Sequence, residues 1–242
     1  MKLTPGLSIL DLACGTGPIT IPAARAVGSS GRVFGVDISG DSLSIAKAKA
    51  EKENLNAQFI QHDIAALHEL KEFEDSSFDI ITCASAFVLL EDPAAVIKSW
   101  AKFLKIGGKL IFDVPTYNSM IGSSVINLVG HKLGIPVAYC WNNLDAIEKV
   151  KPLLTNAGLD DSETFVTDSY KGTELDAKNA GDIFEGIVGK KEWFEGVYAE
   201  FNEPGRKESA KDMFCREMEK LADAHGKVME DRRFTIAVGK KV

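Results

Sequence analysis

"ILDLACGTG", residues 9–17, joins an apolar run to a turn built on two glycines. The run SILDL has the length and composition of a buried strand. Gly15 and Gly17 let the backbone turn tightly and approach a ligand with no Cβ in the way. A helix opening near Pro18 would offer its unpaired N–H groups to an anion. Strand, glycine turn and helix in this order make a ligand-binding turn, and the fold class follows from what repeats behind it.

Short apolar strands alternate with amphipathic helices through the first half of the chain. The pattern predicts strands near residues 8–12, 32–37, 57–61, 78–83 and 109–114. Strands separated by helical crossovers pair in parallel, so the expected class is α/β with a doubly wound, mostly parallel sheet. Ser39 is placed to cap a helix that carries Leu43, Ala46 and Ala50 on one face. A second helix has Pro93 in its first turn and Val96, Ile97, Trp100 and Leu104 on its buried stripe, with Gly107 and Gly108 where it should stop. Beyond Val114 the pattern is less regular. It predicts a helix over 144–156 closed by Gly158, a strand around 163–167, a mostly helical stretch over 175–225 and a last strand in "RRFTIAVGKK". There is no internal repeat.

The chain has 242 residues, 45% hydrophobic and 26% charged, which suits a globular protein with a real core. One domain is expected over 1–242, with 1–116 as its ligand-binding half, 117–142 and 170–228 as covering segments and 229–242 as the last strand. A net charge of -7 argues against a wide nucleic-acid footprint, which needs clustered Lys and Arg. Cys14, Cys83, Cys140 and Cys215 lack metal-ligand spacing and read as reduced thiols of a cytosolic protein. The most apolar later stretch, 120–129, falls short of the ~20 residues of a membrane span, so no membrane partner is expected. No metal is expected, and the sequence sets no oligomeric state.

The ligand can be narrowed. A dinucleotide fingerprint reads G-x-G-x-x-G, and here "GTGPIT" places Thr20 at the third glycine. Asp11, at the strand end, would sit badly against a pyrophosphate and well against an ammonium or sulfonium. Asp37 ends "VFGVD" about twenty residues after the turn, where an acid can accept both ribose hydroxyls. Asp63 ends the third strand in "FIQHDI", where a carboxylate could accept from an adenine amino group while the Ile64 N–H meets the ring.

"ILDLACGTG", "VFGVDIS", "QFIQHDI", "FDIITCASAFVLLEDP" and "FLKIGGKLIF", in this order, resemble the class I S-adenosylmethionine-dependent methyltransferases. The resemblance spans residues 7–114. It implies a seven-stranded sheet with a reversed last strand and S-adenosylmethionine as cofactor. The turn from Asp11 to Gly17, with Ala13 and Gly15, is assigned to the methionine part, Asp37 with Ile38 to the ribose side, Asp63 with Ile64 to adenine, and Ala84 with Ser85 to the methionine side after strand four. It implies methyl transfer to a small molecule. The alternatives are a protein that binds the same cofactor for non-methylating chemistry or for a partner subunit, and an NAD-dependent oxidoreductase.

The acceptor is less legible. "ASAF", residues 84–87, is not the Asn/Asp-Pro-Pro-Tyr/Phe motif linked to methylation of planar amino groups. Almost nothing precedes the first strand, so either the N-terminus is incomplete or a substrate cover is expected from the segments after strand five and before the last strand. Phe87, Tyr117, His131, Tyr139, Trp141 and Trp193 are the candidate substrate-lining residues, with His131 a candidate general base. The plainer readings place His131 at a helix end, His62 at a loop, Cys14 in packing, and Trp193, Val197 and Phe201 on one packed helical face.

Overall fold

The computed structural model describes residues 3–135, 137, 144, 146–168, 172–189 and 198–242. The strands are β1 (Ser8–Leu12), β2 (Arg32–Asp37), β3 (Ala57–Gln61), β4 (Phe78–Cys83), β5 (Leu104–Pro115), β6 (Leu159–Asp160), β7 (Phe165–Val166), β8 (Thr173–Asp176), β9 (Lys227–Glu230) and β10 (Phe234–Lys241). The helices are α1 (Thr20–Val27), α2 (Gly40–Lys52), α3 (Pro93–Phe103), α4 (Ile121–Leu133), α5 (Ile147–Asn156), α6 (Ala180–Val188) and α7 (Arg206–Leu221).

The main sheet has the order β3-β2-β1-β4-β5-β10-β6, seven strands along the path, and the two-residue β7 pairs with β10 as an eighth. Pairing from β3 through β5 is parallel throughout. β10 is reversed: Lys241, at its end, donates from Nζ to the carbonyl of Leu104 at the start of β5 (2.8 Å), while Arg233, at its start, accepts from the N–H of Thr116 just past the end of β5 (3.1 Å). This is the mostly parallel sheet that the strand pattern predicts, with the reversed final strand that the resemblance implies. Because β1 lies between β2 and β4, the crossovers part on either side of it, and the carboxyl ends of these strands form the crevice where such sheets bind ligands.

The chain divides into two compact units, one made of residues 1–114, 147–165 and 236–242, the other of 115–146 and 166–235. In the first, α1 buries Ile21, Ala23, Ala24 and Val27. Ala23, Ala24 and Val27 join Ile9, Val33 and Ile80 in one cluster. Phe34, Phe73, Phe78 and Phe103 meet edge to face, at centroid distances of 5.3 to 6.2 Å. The Ser39 cap forms as expected, its Oγ accepting from the Ser42 N–H at the start of α2, and Asp92 Oδ1 accepts from the Ala95 N–H ahead of Pro93.

The second unit holds α4, α6 and α7 with the antiparallel pair β8-β9. Its core contains Phe184, whose ring lies 5.6 Å from Phe214 and 6.3 Å from Phe201. Gly122 on α4 permits close helix packing, since a Cβ there would come within 2.8 Å of the Ile187 side chain.

Several boundaries differ from the sequence reading. β5 begins at Leu104, five residues before the expected Lys109, and Gly107 and Gly108 lie within it. The pairing jumps from Phe78↔Leu104 to Ile80↔Lys109, so extra residues of β5 are absorbed in a bulge. Gly107 takes φ 79°, and a Cβ on Gly108 would meet the Lys105 carbonyl at 2.9 Å. The glycine pair thus serves the bulge rather than the helix stop. The helix expected from 144 starts at Ile147. The expected strand over 163–167 is reduced to Phe165–Val166. Among the described residues no helix is long and apolar enough to cross a membrane.

Candidate functional site

Four loops leave the carboxyl ends of β1, β2, β3 and β4, and the sheet order sets these strands side by side. The loop after β1 is sharply folded. Ala13, Gly15 and Gly17 all take positive φ, at 51°, 52° and 83°. A left-handed alanine is a small store of strain, of the kind held at functional loops. At Gly15 an added Cβ would meet nothing within 4 Å, whereas at Gly17 it would lie 3.0 Å from Ile21 Cγ1 and 3.4 Å from Ala46 Cβ. Gly15 thus opens onto free space, and Gly17 is packed against the helices behind.

Asp37, only 9% exposed, ties this turn to the tip of β2. Its Oδ2 accepts from the Gly15 N–H at 2.7 Å and its Oδ1 from the Ser39 N–H at 2.8 Å. Ile38, next in the chain, is 72% exposed, an apolar surface beside the acid. Just past β3, the His62 N–H donates to the Asp37 carbonyl at 3.0 Å and joins the second and third loops. Asp63 is exposed and caps a short 3-10 helix (Ile64–Glu69), accepting from the Ala65 N–H at 2.8 Å. The fully buried Trp100 of α3 donates from Nε1 to the Ile64 carbonyl at 2.8 Å and fixes that loop to the core. After β4, Ser85 is exposed with φ 57°, and its N–H donates to Asp113 Oδ1 on β5 at 2.7 Å.

Asp11 differs from the open carboxylate that the sequence suggests. It is 1% exposed, and its oxygens take the hydroxyls of Thr20 (2.5 Å) and Thr82 (2.8 Å). Burial raises its pKa to about 6 against the lowering effect of both hydroxyls, and the Asp37 charge adds to the rise. The carboxyl therefore braces β1, α1 and β4 from within. Thr20, which spoils the dinucleotide fingerprint, is the hydroxyl this acid needs. Burial lifts the Asp113 carboxyl as well, partly offset by the Ser85 N–H. Cys14 is buried, its thiol pushed up to about 12 by burial and by the charges of Asp11 and Asp37. Such a thiol is no nucleophile, and Gly35 makes room for it: a Cβ there would lie 2.8 Å from Cys14 Sγ.

The candidate substrate residues scatter. Phe87 is 0% exposed, stacked on Phe112 at 3.9 Å and edge-on to Trp100 at 6.2 Å. Its place in the core corrects the expectation of a substrate-lining ring. Tyr117 opens a short 3-10 turn and is 37% exposed. His131 is exposed in the last turn of α4. Phe201 is buried in the second unit's core. Tyr139, Trp141, Trp193 and Val197 lie outside the described residues. Thr20, Thr82, Trp100 and Asp113 are site-shaping residues that the sequence reading missed, because a hydroxyl or an indole earns such a role only through its partner in space.

An open α/β sheet with a glycine turn after β1 and acids after β2 and β3 defines a nucleoside-binding protein of the doubly wound class. Residues 3–158 match the family model described as "Methyltransferase domain", and the chain belongs to that family, among the class I S-adenosylmethionine-dependent methyltransferases. It is 42% identical over 107 residues to a demethylmenaquinone methyltransferase of Lactococcus lactis, covering 44% of this chain and 41% of the relative. The chain thus spans less than half the length of that relative. Among solved structures, it is similar to an arsenic(III) S-adenosylmethionine methyltransferase of Chlamydomonas reinhardtii, with TM-score 0.57, 20% identity and coverage of 100% and 65% of the two chains. It is also similar to the [4+2]-cyclase SpnF, with TM-score 0.52, 18% identity and coverage of 99% and 76%. These two likenesses concern the fold.

Proposed function

We propose that this chain transfers the methyl group of S-adenosylmethionine to a small-molecule acceptor. The observation that carries the reading is the row of four loops at the carboxyl ends of β3, β2, β1 and β4, each with a residue suited to one part of that cofactor. The residues fit the group: open space before Gly15, an exposed apolar Ile38 beside Asp37, an exposed Asp63 and an exposed Ser85. The turn with Ala13, Gly15 and Gly17, together with Ala84 and Ser85, would hold the methionine end. Asp37 would take the ribose hydroxyls on the lone pairs left free by two backbone donors, with Ile38 against the ring system and Asp63 and Ile64 at the adenine edge. Asp11, ionised, would add negative charge behind the turn, a complement to a cationic ligand.

Bound there, S-adenosylmethionine supplies a methyl group already activated on a sulfonium. The chain's share is to align the acceptor and exclude water, and near-attack alignment alone can supply on the order of 7–11 kcal/mol. Cys14, buried and with its thiol pushed up to about 12, is not suited to serve as a nucleophile. The demethylmenaquinone methyltransferase relative makes a short-chain demethylmenaquinol the first acceptor to assay. The expected setting is the cytosol, where thiols stay reduced.

A second reading, binding of the cofactor without methyl transfer, has support in a cyclase on the same fold. Calorimetric titration with S-adenosylhomocysteine and NAD, followed by transfer of labelled methyl to the quinol, separates the readings. Micromolar binding of S-adenosylhomocysteine and a labelled product are expected. NAD binding alone would overturn the cofactor assignment, and cofactor binding without S-adenosylhomocysteine production from any acceptor would favour the second reading.

A further inference from the structure

Ser85 pairs an unfavourable backbone with a strong hydrogen bond. Its φ of 57° is a conformation that side-chain-bearing residues avoid, because the Cβ crowds the following carbonyl. Its N–H meets Asp113 Oδ1 at 2.7 Å, within the short range typical of bonds to ionised acceptors. Asp113 lies near the carboxyl end of β5, the neighbour of β4, so the bond crosses from one parallel strand to the loop leaving the next. Burial by itself disfavours the charge of this part-buried carboxylate, and the Ser85 N–H offsets part of that cost.

We propose that Asp113 is a positioning residue: its carboxylate oxygen holds Ser85 left-handed and thereby sets the direction of the Ala84–Ser85 peptide groups toward the methionine end of the cofactor. The inference rests on the cofactor reading above. Without the acceptor, Ser85 relaxes toward extended backbone and the carbonyls of the loop turn away. The bond needs an oxygen at the Oδ1 position, not the reactivity of a free acid. Asparagine can supply that oxygen and alanine cannot. Glycine at 85 adopts the left-handed conformation with no Cβ penalty and so lessens the need for the bond.

The test measures the dissociation constant of S-adenosylhomocysteine by calorimetry and the Ser85 amide proton shift by NMR, in the whole chain. Asp113→Ala is expected to weaken binding about tenfold, Asp113→Asn by no more than about twofold, and Ser85→Gly in the Asp113→Ala background to recover most of the loss. The Ser85 amide proton should move upfield in Asp113→Ala and stay downfield in Asp113→Asn. Equal affinity in the wild type and Asp113→Ala would overturn the proposal, as would an Asp113→Asn loss as large as that of alanine. If the wild type fails to bind S-adenosylhomocysteine, the cofactor reading falls first. The Ser85 shift still decides the geometry, and an unmoved amide in Asp113→Ala sinks it. Should Asp113→Ala not fold, Asp113→Leu, which also lacks the acceptor oxygen but keeps the bulk, takes its place alone and paired with Ser85→Gly, with the same expected loss and recovery.

Discussion

The Gly15 N–H and the Asp37 carboxylate, 22 residues apart, meet at 2.7 Å. One side chain thus fixes the shape of the turn after β1 and stands at the tip of β2. With its other oxygen on the Ser39 N–H, the acid is held at both ends by backbone donors and has little freedom to rotate. Its remaining lone pairs are therefore pre-aimed, which lowers the ordering cost when a ligand arrives.

Asp37→Ala should weaken S-adenosylhomocysteine binding by roughly 1.5–3 kcal/mol, the scale for hydrogen bonds to a charged group. It should also loosen the glycine turn. Asp37→Asn keeps one acceptor oxygen for Gly15 but sets an NH2 group against the Ser39 N–H, so an intermediate loss is expected. Calorimetry on both variants is the check, and unchanged affinity in the alanine variant would remove Asp37 from the ribose role.

Gly15 and Gly17 should respond differently to alanine. Both positions have positive φ, at a cost of about 1–2 kcal/mol for a side-chain-bearing residue. At Gly17 the new methyl also presses on Ile21 and Ala46, so Gly17→Ala should lower the melting temperature further than Gly15→Ala does. Gly15→Ala fills only the open space before the turn and should abolish cofactor binding at a smaller stability cost. Thermal melts and titrations of the pair test this, and the reverse ranking of the two melting temperatures would refute it.

These residues also mark what a sequence can disclose. β1 to β4 match the sequence reading to the residue, because each is a short run rich in apolar residues that ends at a turn or an acid. The start of β5 was not legible, since a glycine pair after a helix signals a helix stop as readily as a bulge. The role of Asp11 was hidden for a different reason. Its hydroxyl partners lie 9 and 71 residues away, and only the pairing of β1 with β4 brings Thr82 to it. Phe87 illustrates the limit for aromatic residues, whose composition is the same in a core as in a pocket.

The buried Asp11 should leave a mark on the pH dependence of stability. Its folded pKa of about 6 lies above the unfolded value, so the native state holds the proton more tightly than the unfolded chain does. The stability it contributes is complete below the unfolded value near 3.8 and is lost as the pH rises through about 6. Above that range the buried charge is a standing cost, on the order of 2–3 kcal/mol. Asp11→Asn removes the titration, so its stability relative to wild type should grow between pH 4 and pH 7. Urea midpoints at several pH values provide the measurement, and parallel curves for the two proteins would count against the assignment.

Asn127 presents a related cost in the second unit. It sits on α4 at 0% exposure, and neither its Oδ1 nor its Nδ2 has a hydrogen-bond partner among the described residues. An amide taken from water without compensation costs about 1–3 kcal/mol on mutational scales. Leucine has nearly the same shape, suits a helix interior better and carries no polar atom. Asn127→Leu should therefore raise the urea midpoint without changing the slope of the transition, a sign that stability changes while the surface exposed on unfolding does not. Asn127→Ala would remove the amide too, but the cavity it leaves should offset most of the gain. If Asn127→Leu proved less stable than wild type, the carboxamide would have to be bonded in solution.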